Sequence, residues 1–293
     1  MANTTLLAGV LIIVLAAACS PDGVSGPAVL TQLVEARRLA SEVHVEFTKA
    51  GDASNRAVMA DTDEASAAAA DEARRARQLV ERSVGALESV LQSLGYRDDA
   101  RYLEEFKTQY AEYRRLDDEI LPLTVENTNL KAQRLSFGPS REAATAFRAA
   151  LETAVRSTAG KDACRHDALA ARALGAMREI QILYAPHIAE AEDAAMTQME
   201  AEMSADETTA RQTVAELRGR LAPDAASSIA AALAALDRFM TIHKEIITLS
   251  RRNSEVRSLA LSLGRKRTIT AQCEDRLRAL EEALAKHQFT ATR

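Results

Sequence analysis

The chain repeats itself, and this repeat limits the possible folds more than any other feature of the sequence. Residues 127–138 (NTNLKAQRLSFG) align without gaps with residues 253–264 (NSEVRSLALSLG), at an offset of 126 residues. An internal repeat of this kind predicts two copies of one structural unit. Five further pairs are identical at the same offset: Glu119/Glu245, Ile120/Ile246, Leu123/Leu249, Arg141/Arg267 and Leu151/Leu277.

The repeated unit has the pattern of a helical bundle. The chain is 47% hydrophobic, with much Ala and Leu and only 11 Gly and 6 Pro, a composition that favours helices over sheets and tight turns. Apolar residues recur at three- and four-residue steps between 103 and 130 and again 126 residues later, which is typical of packed, nearly parallel helices. The sequence therefore predicts an all-α protein of two tandem antiparallel four-helix bundles, residues 29–160 and 161–293, that form an elongated rod.

Local signals predict where the helices begin and end. Gly138 and Gly264 occupy equivalent positions in the two copies, and we expect each to form a tight corner before the last helix of its copy. Ser204 and Glu207 match a capping box, in which the two side chains satisfy free N–H groups at a helix start. The second copy is therefore expected to have one helix over 162–203 and the next beginning at residue 204.

The N-terminus has the features of an export signal. An apolar run over 6–18 is shorter than the roughly 20 residues that cross a bilayer. Three alanines then precede Cys19, an order that resembles the bacterial lipobox, in which the cysteine is lipidated and becomes the first mature residue. We predict a signal peptide over 1–18, lipidation of Cys19, a tether over 19–28 and an extracytoplasmic, membrane-anchored location. The alternative is an ordinary cleaved signal or an uncleaved anchor, since no Lys or Arg precedes the run.

The second half of the first copy resembles a known family. Residues 106–151 begin with aromatic residues, continue through the sequence DDEIL at 117–121, turn at 137–139 and end in an Ala-rich helix. This layout is similar to the second half of the four-helix-bundle sensor domain of methyl-accepting chemotaxis receptors, and the second copy shows it more weakly. The resemblance implies an extracytoplasmic ligand sensor that dimerises along its helices. Those receptors continue into a cytoplasmic signalling rod, whereas this sequence stops at Arg293, so we expect a partner protein to relay the signal.

Two polar features are candidates for ligand binding. Asn127 and its repeat partner Asn253 fall on the apolar stripe, which predicts a polar notch for a small ligand, a buried Asn that fixes helix register, or a stripe that has reached the surface. Basic residues crowd one predicted corner of the second copy, where they either meet an anionic ligand, a lipid headgroup or an acidic partner or form a solvated corner. This cluster comprises Arg251, Arg252, Arg257, Arg265, Lys266 and Arg267, of which Arg251, Arg252, Arg257 and Arg267 are the expected ligand contacts.

Catalysis and metal binding are not expected. The sequence contains no Gly-rich phosphate loop, no Glu-x-x-His pair for a di-iron centre and no C-x-x-C-H haem motif. A bundle would place Cys164 and Cys273 at different depths, so we expect no disulfide between them and a buried thiol at Cys273. The net charge of −5 gives no indication of nucleic-acid binding. The sequence thus predicts a non-enzymatic sensory accessory without a cofactor; the alternative is a helical spacer or adaptor of the cell envelope with no small ligand.

Overall fold

The structure is a computed structural model that describes residues 26–156 and 162–287. The regular elements in these ranges are helical, which confirms the predicted all-α class. The predicted signal peptide and Cys19 lie outside the described residues. The α-helices are α1 (Gly26–Val58), α2 (Asp63–Leu94), α3 (Arg97–Glu126), α4 (Thr128–Phe137), α5 (Pro139–Arg156), α6 (Ala163–Ala189), α7 (Asp193–Arg218), α8 (Ala226–Arg252), α9 (Ser254–Leu261) and α10 (Arg267–Lys286).

Two long helical tracts run antiparallel to each other through the molecule. One consists of α3, α4 and α5, and the other of α8, α9, a π-helical turn (Ser262–Lys266) and α10. Each tract has about 60 residues, which corresponds to roughly 90 Å of helical rise. Their antiparallel register is visible in three ion pairs, in which residue numbers rise along one tract and fall along the other: Glu105–Arg276 at 3.0 Å, Glu126–Arg252 at 2.5 Å and Glu142–Arg238 at 3.8 Å.

A helical hairpin covers each end of this pair of tracts. The hairpin α1–α2 packs on α3 and α10, and the hairpin α6–α7 packs with α8 and α5. One apolar core joins residues of α1, α2 and α3 to Cys273, Leu277, Leu280 and Leu284 of α10. The other joins α6, α7 and α8 to residues of α5 such as Phe147. The expected bundles of residues 29–160 and 161–293 are therefore not how the helices pack, because each four-helix group contains the last helix of the other copy.

The exchange of last helices follows from the geometry at Gly138 and Gly264. Each glycine departs from helical geometry (φ −102°, ψ −94° and φ −87°, ψ −109°), but the helix resumes at once. The Gly138 N–H donates to the carbonyl oxygen of Arg134, and the Gly138 carbonyl accepts from the N–H of Glu142, both at 3.0 Å. A single non-helical residue kinks the chain, whereas reversing it needs a loop of several residues. The prediction of tight corners that reverse the chain was wrong.

The break in the second hairpin also differs from the prediction. Residues 204–207 lie inside α7, and the chain turns at 190–192 instead. The end of α6 is satisfied by residues distant in sequence, because Asn129 Nδ2 donates to the Ile188 carbonyl at 2.6 Å and Asn253 Nδ2 donates to the Glu190 carbonyl at 2.6 Å. These caps come from α4 and from the α8–α9 junction, so a search for local capping residues does not reveal them.

The predicted apolar stripe is buried in both copies. In α3 it includes Phe106, Tyr113 and Ile120, and in α8 it includes Phe239 and Ile246. Cys273 is buried, Cys164 is exposed, and both are free thiols. In the described residues, one tract, Pro223–Lys286, contains a window long and apolar enough for a membrane span by composition, a property that core helices of soluble proteins share.

Candidate functional site

The two long tracts cross at a point where residues 126 and 128 contact their repeat equivalents, residues 252 and 254. The Thr128 N–H donates to Ser254 Oγ at 3.1 Å, and the Ser254 N–H donates to Thr128 Oγ1 at 3.0 Å. Two residues earlier, Arg252 forms two hydrogen bonds with Glu126, at 2.6 and 2.5 Å. These partners are 126 residues apart, and contacts between equivalent residues arise only beside a two-fold axis. The two copies are therefore related by an approximate two-fold axis at this crossing.

Asn127 and Asn253 interrupt the helices beside this crossing. They adopt left-handed backbone conformations, with φ of 48° and 54°, which Asn tolerates better than most residues. Both side chains are buried. Asn127 Nδ2 donates to Asp63 Oδ1 at 2.9 Å, while Asn253 Oδ1 accepts from Asn129 Nδ2 at 2.7 Å. Each amide thus has a partner within the protein, and ligand binding by these two residues stays a prediction.

Arg251 and Arg252 are bound to acidic residues of other helices. Arg251 Nε donates to Glu200 Oε1 at 2.5 Å, and its Nη2 donates to Thr197 Oγ1 at 2.8 Å, both on α7. Hydrogen bonds from Arg251 lower the pKa of Glu200, and those from Arg252 lower the pKa of Glu126. These two guanidinium groups therefore stabilise helix contacts in the structure.

The remaining basic residues of the predicted corner differ in their surroundings. Arg257 and Arg267 are exposed, and Arg265 pairs with Glu112 of α3 at 2.6 Å. Lys266 points the other way and is buried, with a relative exposure of 2%. Lys266 is therefore not part of an exposed basic cluster, and ligand contact by Arg257 and Arg267 stays a prediction.

A buried ionic cluster links the four helices at one end of the molecule. Lys266 Nζ contacts Asp117 Oδ1 at 2.5 Å and also the Ser54 hydroxyl. The second oxygen of Asp117 accepts from Arg77 at 3.0 Å, and Ser54 Oγ donates to Asp117 Oδ1 at 2.7 Å. The Lys266 ammonium lies 5.0 Å from the centre of the Tyr113 ring. Burial lowers the pKa of Lys266 against the opposing effect of Asp117.

The equivalent positions at the other end carry different groups. In place of Asp117 and Lys266 stand His243 and Ser140, each 126 residues away, and the position of Ser54 on the first hairpin matches Tyr184 on the second. The Ser140 Oγ, Tyr184 OH and His243 Nδ1 atoms are buried; Ser140 interacts with Tyr184, whereas His243 Nδ1 has no hydrogen-bond partner in the part of the chain that the structure describes. Burial raises the pKa of Tyr184 and lowers that of His243. Unpaired buried polar atoms are uncommon and costly in folded proteins.

A solvent-open groove lies beside each kink, at equivalent places in the two four-helix groups. The first, which we call the Arg267 groove, has a volume of about 480 Å³ and lies between the end of α1 and the α9–α10 region. The second, the Arg141 groove, has a volume of about 660 Å³ and lies between α4–α5 and α6. Seven positions of the long tract line both grooves: 133/259, 136/262, 137/263, 141/267, 144/270, 145/271 and 148/274.

The sequence contains a signal for the polar clusters that pattern analysis missed. Asp117 stands four residues after Tyr113 and three before Ile120, on the same buried face. His243 has the same spacing between Phe239 and Ile246. A polar residue at the same position of the apolar stripe in both copies predicts a polar cluster at that level of each helical bundle. The sequence contains no such signal for the grooves, because they form only when the two copies exchange their last helices.

No family model and no curated protein sequence matches the chain. In residues 26–156 and 162–287, no group of three or more His, Cys, Asp or Glu side chains is arranged to hold a metal ion. The described residues place charged and hydrogen-bonding side chains along the Arg267 groove and the Arg141 groove.

Proposed function

We propose that this chain is a lipid-anchored, extracytoplasmic protein that binds a small ligand and acts as a sensory accessory to a partner protein. The observation that carries the proposal is the pair of equivalent grooves, one in each four-helix group, at the depth where polar residues interrupt the core. Ligand pockets commonly have volumes of about 300–1,000 Å³, and both grooves lie within that range. In this proposal the two four-helix groups are stacked end to end, which gives an elongated molecule.

The location and the sensory role are supported by the sequence. The apolar run followed by Cys19 favours export and lipidation. The helix layout of residues 106–151 resembles sensor domains of chemotaxis receptors, which bind ligands outside the cytoplasm. In this proposal the chain is held at the membrane through Cys19, and the bound state is passed on by contact with a second protein.

A thermal-shift screen of the full chain in a neutral detergent tests this function. The library contains amino acids, aliphatic and aromatic carboxylic acids, and divalent metal salts. A ligand of the folded state raises the unfolding midpoint progressively with its concentration. One such compound, with stoichiometric binding by calorimetry, supports the proposal. Failure of every compound at millimolar concentration contradicts it.

One observation favours the alternative of a structural spacer. The ionic cluster around Asp117 and Lys266 joins α1, α2, α3 and the π-helical turn at one end of the molecule, and a rigid rod requires such links between its helices. A spacer would bind none of the compounds and would hold two partner proteins at a fixed separation. The spacer function is supported if no compound raises the unfolding midpoint while the chain still binds envelope proteins.

A further inference from the structure

We infer that the Arg141 groove binds a small carboxylate ligand with a planar apolar body. The inference rests on the proposed ligand-binding function and adds the site and the class of ligand. The groove is formed by the α4–α5 kink on one side and α6 on the other. Its volume of about 660 Å³ accommodates a single aromatic ring with polar substituents.

Two arginines supply positive charge to this groove. Arg141 and Arg148 both line it and are seven residues apart on α5, so they lie on one face with Cα atoms roughly 10 Å apart along the helix. Within residues 26–156 and 162–287, no carboxylate lies within ion-pair distance of either guanidinium. The neighbouring acid, Glu142, faces Arg238 of α8 at 3.8 Å. Guanidinium groups form paired hydrogen bonds with carboxylates, so these two arginines suit a ligand with acidic groups.

The floor and rim of the groove are apolar or aromatic. Tyr184 and Ile188 of α6 line it and are each only 3% exposed. Phe137 lies on the rim with 70% of its surface exposed, an unusual position for a phenyl ring in a folded protein. The hydroxyl group of Tyr184 is buried and interacts with the Ser140 side chain. Together these side chains favour a ligand whose body is flat and apolar.

The equivalent groove lacks these features, which makes it a natural comparison. There Glu274 stands at the position of Arg148, and Leu263 at that of Phe137. The buried lysine of the Arg267 groove is already paired with Asp117. Counting ion pairs among the described residues, an anion therefore meets one unpaired arginine and one glutamate in the Arg267 groove, but two unpaired arginines in the Arg141 groove.

Isothermal titration calorimetry of the full chain in neutral detergent tests the inference with terephthalate, benzoate and benzyl alcohol as probes. Terephthalate carries a carboxylate at each end of one ring, one for each arginine. We expect one terephthalate per chain, weaker binding of benzoate, and no measurable heat with benzyl alcohol. Arg141→Gln and Arg148→Gln should each weaken terephthalate binding at least tenfold, since each removes a charge-assisted hydrogen-bond pair.

Matched variants separate binding at this groove from nonspecific attraction of anions to exposed arginines. Arg267→Gln makes the same change at the equivalent position of the other groove, and it should leave terephthalate affinity unchanged. Arg141→Lys keeps the charge without the planar fork, so it should retain more affinity than Arg141→Gln. All three arginines are exposed, and unchanged far-ultraviolet circular dichroism checks that the variants fold.

The outcomes distinguish the site from the general function. Absence of terephthalate binding, or equal affinity in Arg141→Gln, Arg148→Gln and the unchanged chain, overturns the inference. If the thermal-shift screen has found another ligand whose affinity is likewise unaffected, the proposed function stands while the site is wrong. If the screen and all three probes give no binding, both are wrong.

Discussion

The contact between Asp117 and Lys266 predicts a large energetic coupling between residues 149 positions apart in sequence. In two separate tandem bundles these residues would belong to different cores. In the structure they meet at 2.5 Å, with relative exposures of 0% and 2%. A double-mutant cycle with Asp117→Asn and Lys266→Met therefore tests the exchanged packing directly.

The expected magnitudes differ for the two single variants. Asp117→Asn keeps an oxygen that can accept from Lys266 but removes the negative charge that compensates the buried ammonium group, and removing one charge of a buried pair costs about 3–5 kcal/mol. Lys266→Met leaves Asp117 with Arg77 at 3.0 Å and Ser54 at 2.7 Å, so the loss should be smaller, about 1–3 kcal/mol. The loss of unfolding free energy in the double variant should be about 2 kcal/mol smaller than the sum of the losses in the two single variants, as is usual for residues in contact.

Urea unfolding followed by circular dichroism at 222 nm measures these free energies. The exposed pair Glu105–Arg276, which joins the same two tracts with side chains 40% and 46% exposed, provides a control whose coupling should not exceed about 1 kcal/mol. A coupling below about 0.5 kcal/mol between Asp117 and Lys266 is the value found for independent sites, and it would refute the exchanged packing.

Three further predictions concern single positions. Asn127→Ala should destabilise the protein by about 2–3 kcal/mol, because alanine in a left-handed conformation costs about 1–2 kcal/mol and the bond to Asp63 is lost; Asn127→Gly keeps the conformation and should cost about 1 kcal/mol in the same urea assay. Burial lowers the pKa of His243 below 6.5, so its contribution to stability is complete above pH 6.5 and is lost as pH falls towards the folded-state value. His243→Gln should therefore reduce the dependence of unfolding free energy on pH between 5 and 6.5, by at most about 1.4 kcal/mol per pH unit, and an unchanged slope would contradict the assigned burial. Iodoacetamide at pH 8 should label the exposed Cys164 of the native chain and spare Cys273, whose thiol is buried with its pKa raised to about 12; mass spectrometry of peptides decides between the two.

The helical class and the core residues were predictable because they depend on local pattern. The spacing of Phe106, Tyr113 and Ile120 defines a buried face whichever helices cover it. The partners of that face were not predictable. Whether the chain reverses or continues at Gly138 depends on a single residue's conformation, and glycine permits both. The helix end near Glu190 is capped by Asn253 from another tract, a contact that no local sequence pattern encodes.

In the candidate sites, too, local features were predictable from the sequence but tertiary contacts were not. The repeat marked Asn127 and Asn253 as special, and both are distinctive in their backbone conformation. The arginine positions gave a basic cluster along the sequence, but Arg251 and Arg252 bind acids of α7 and α3. Their partners depend on which helices the exchanged tract passes, and therefore on tertiary structure.

The difference between the two polar clusters also limits how separate chains can associate. Two molecules that paired equivalent tracts with each other would place Asp117 against Ser140 and Lys266 against His243, leaving charges in a dry core at a cost of several kcal/mol each. Only unlike tracts match, and covalent fusion supplies the matching one within the same polypeptide. Folding of the pair is therefore a unimolecular event, and the assembly should persist at dilutions where a dimer of separate halves would dissociate.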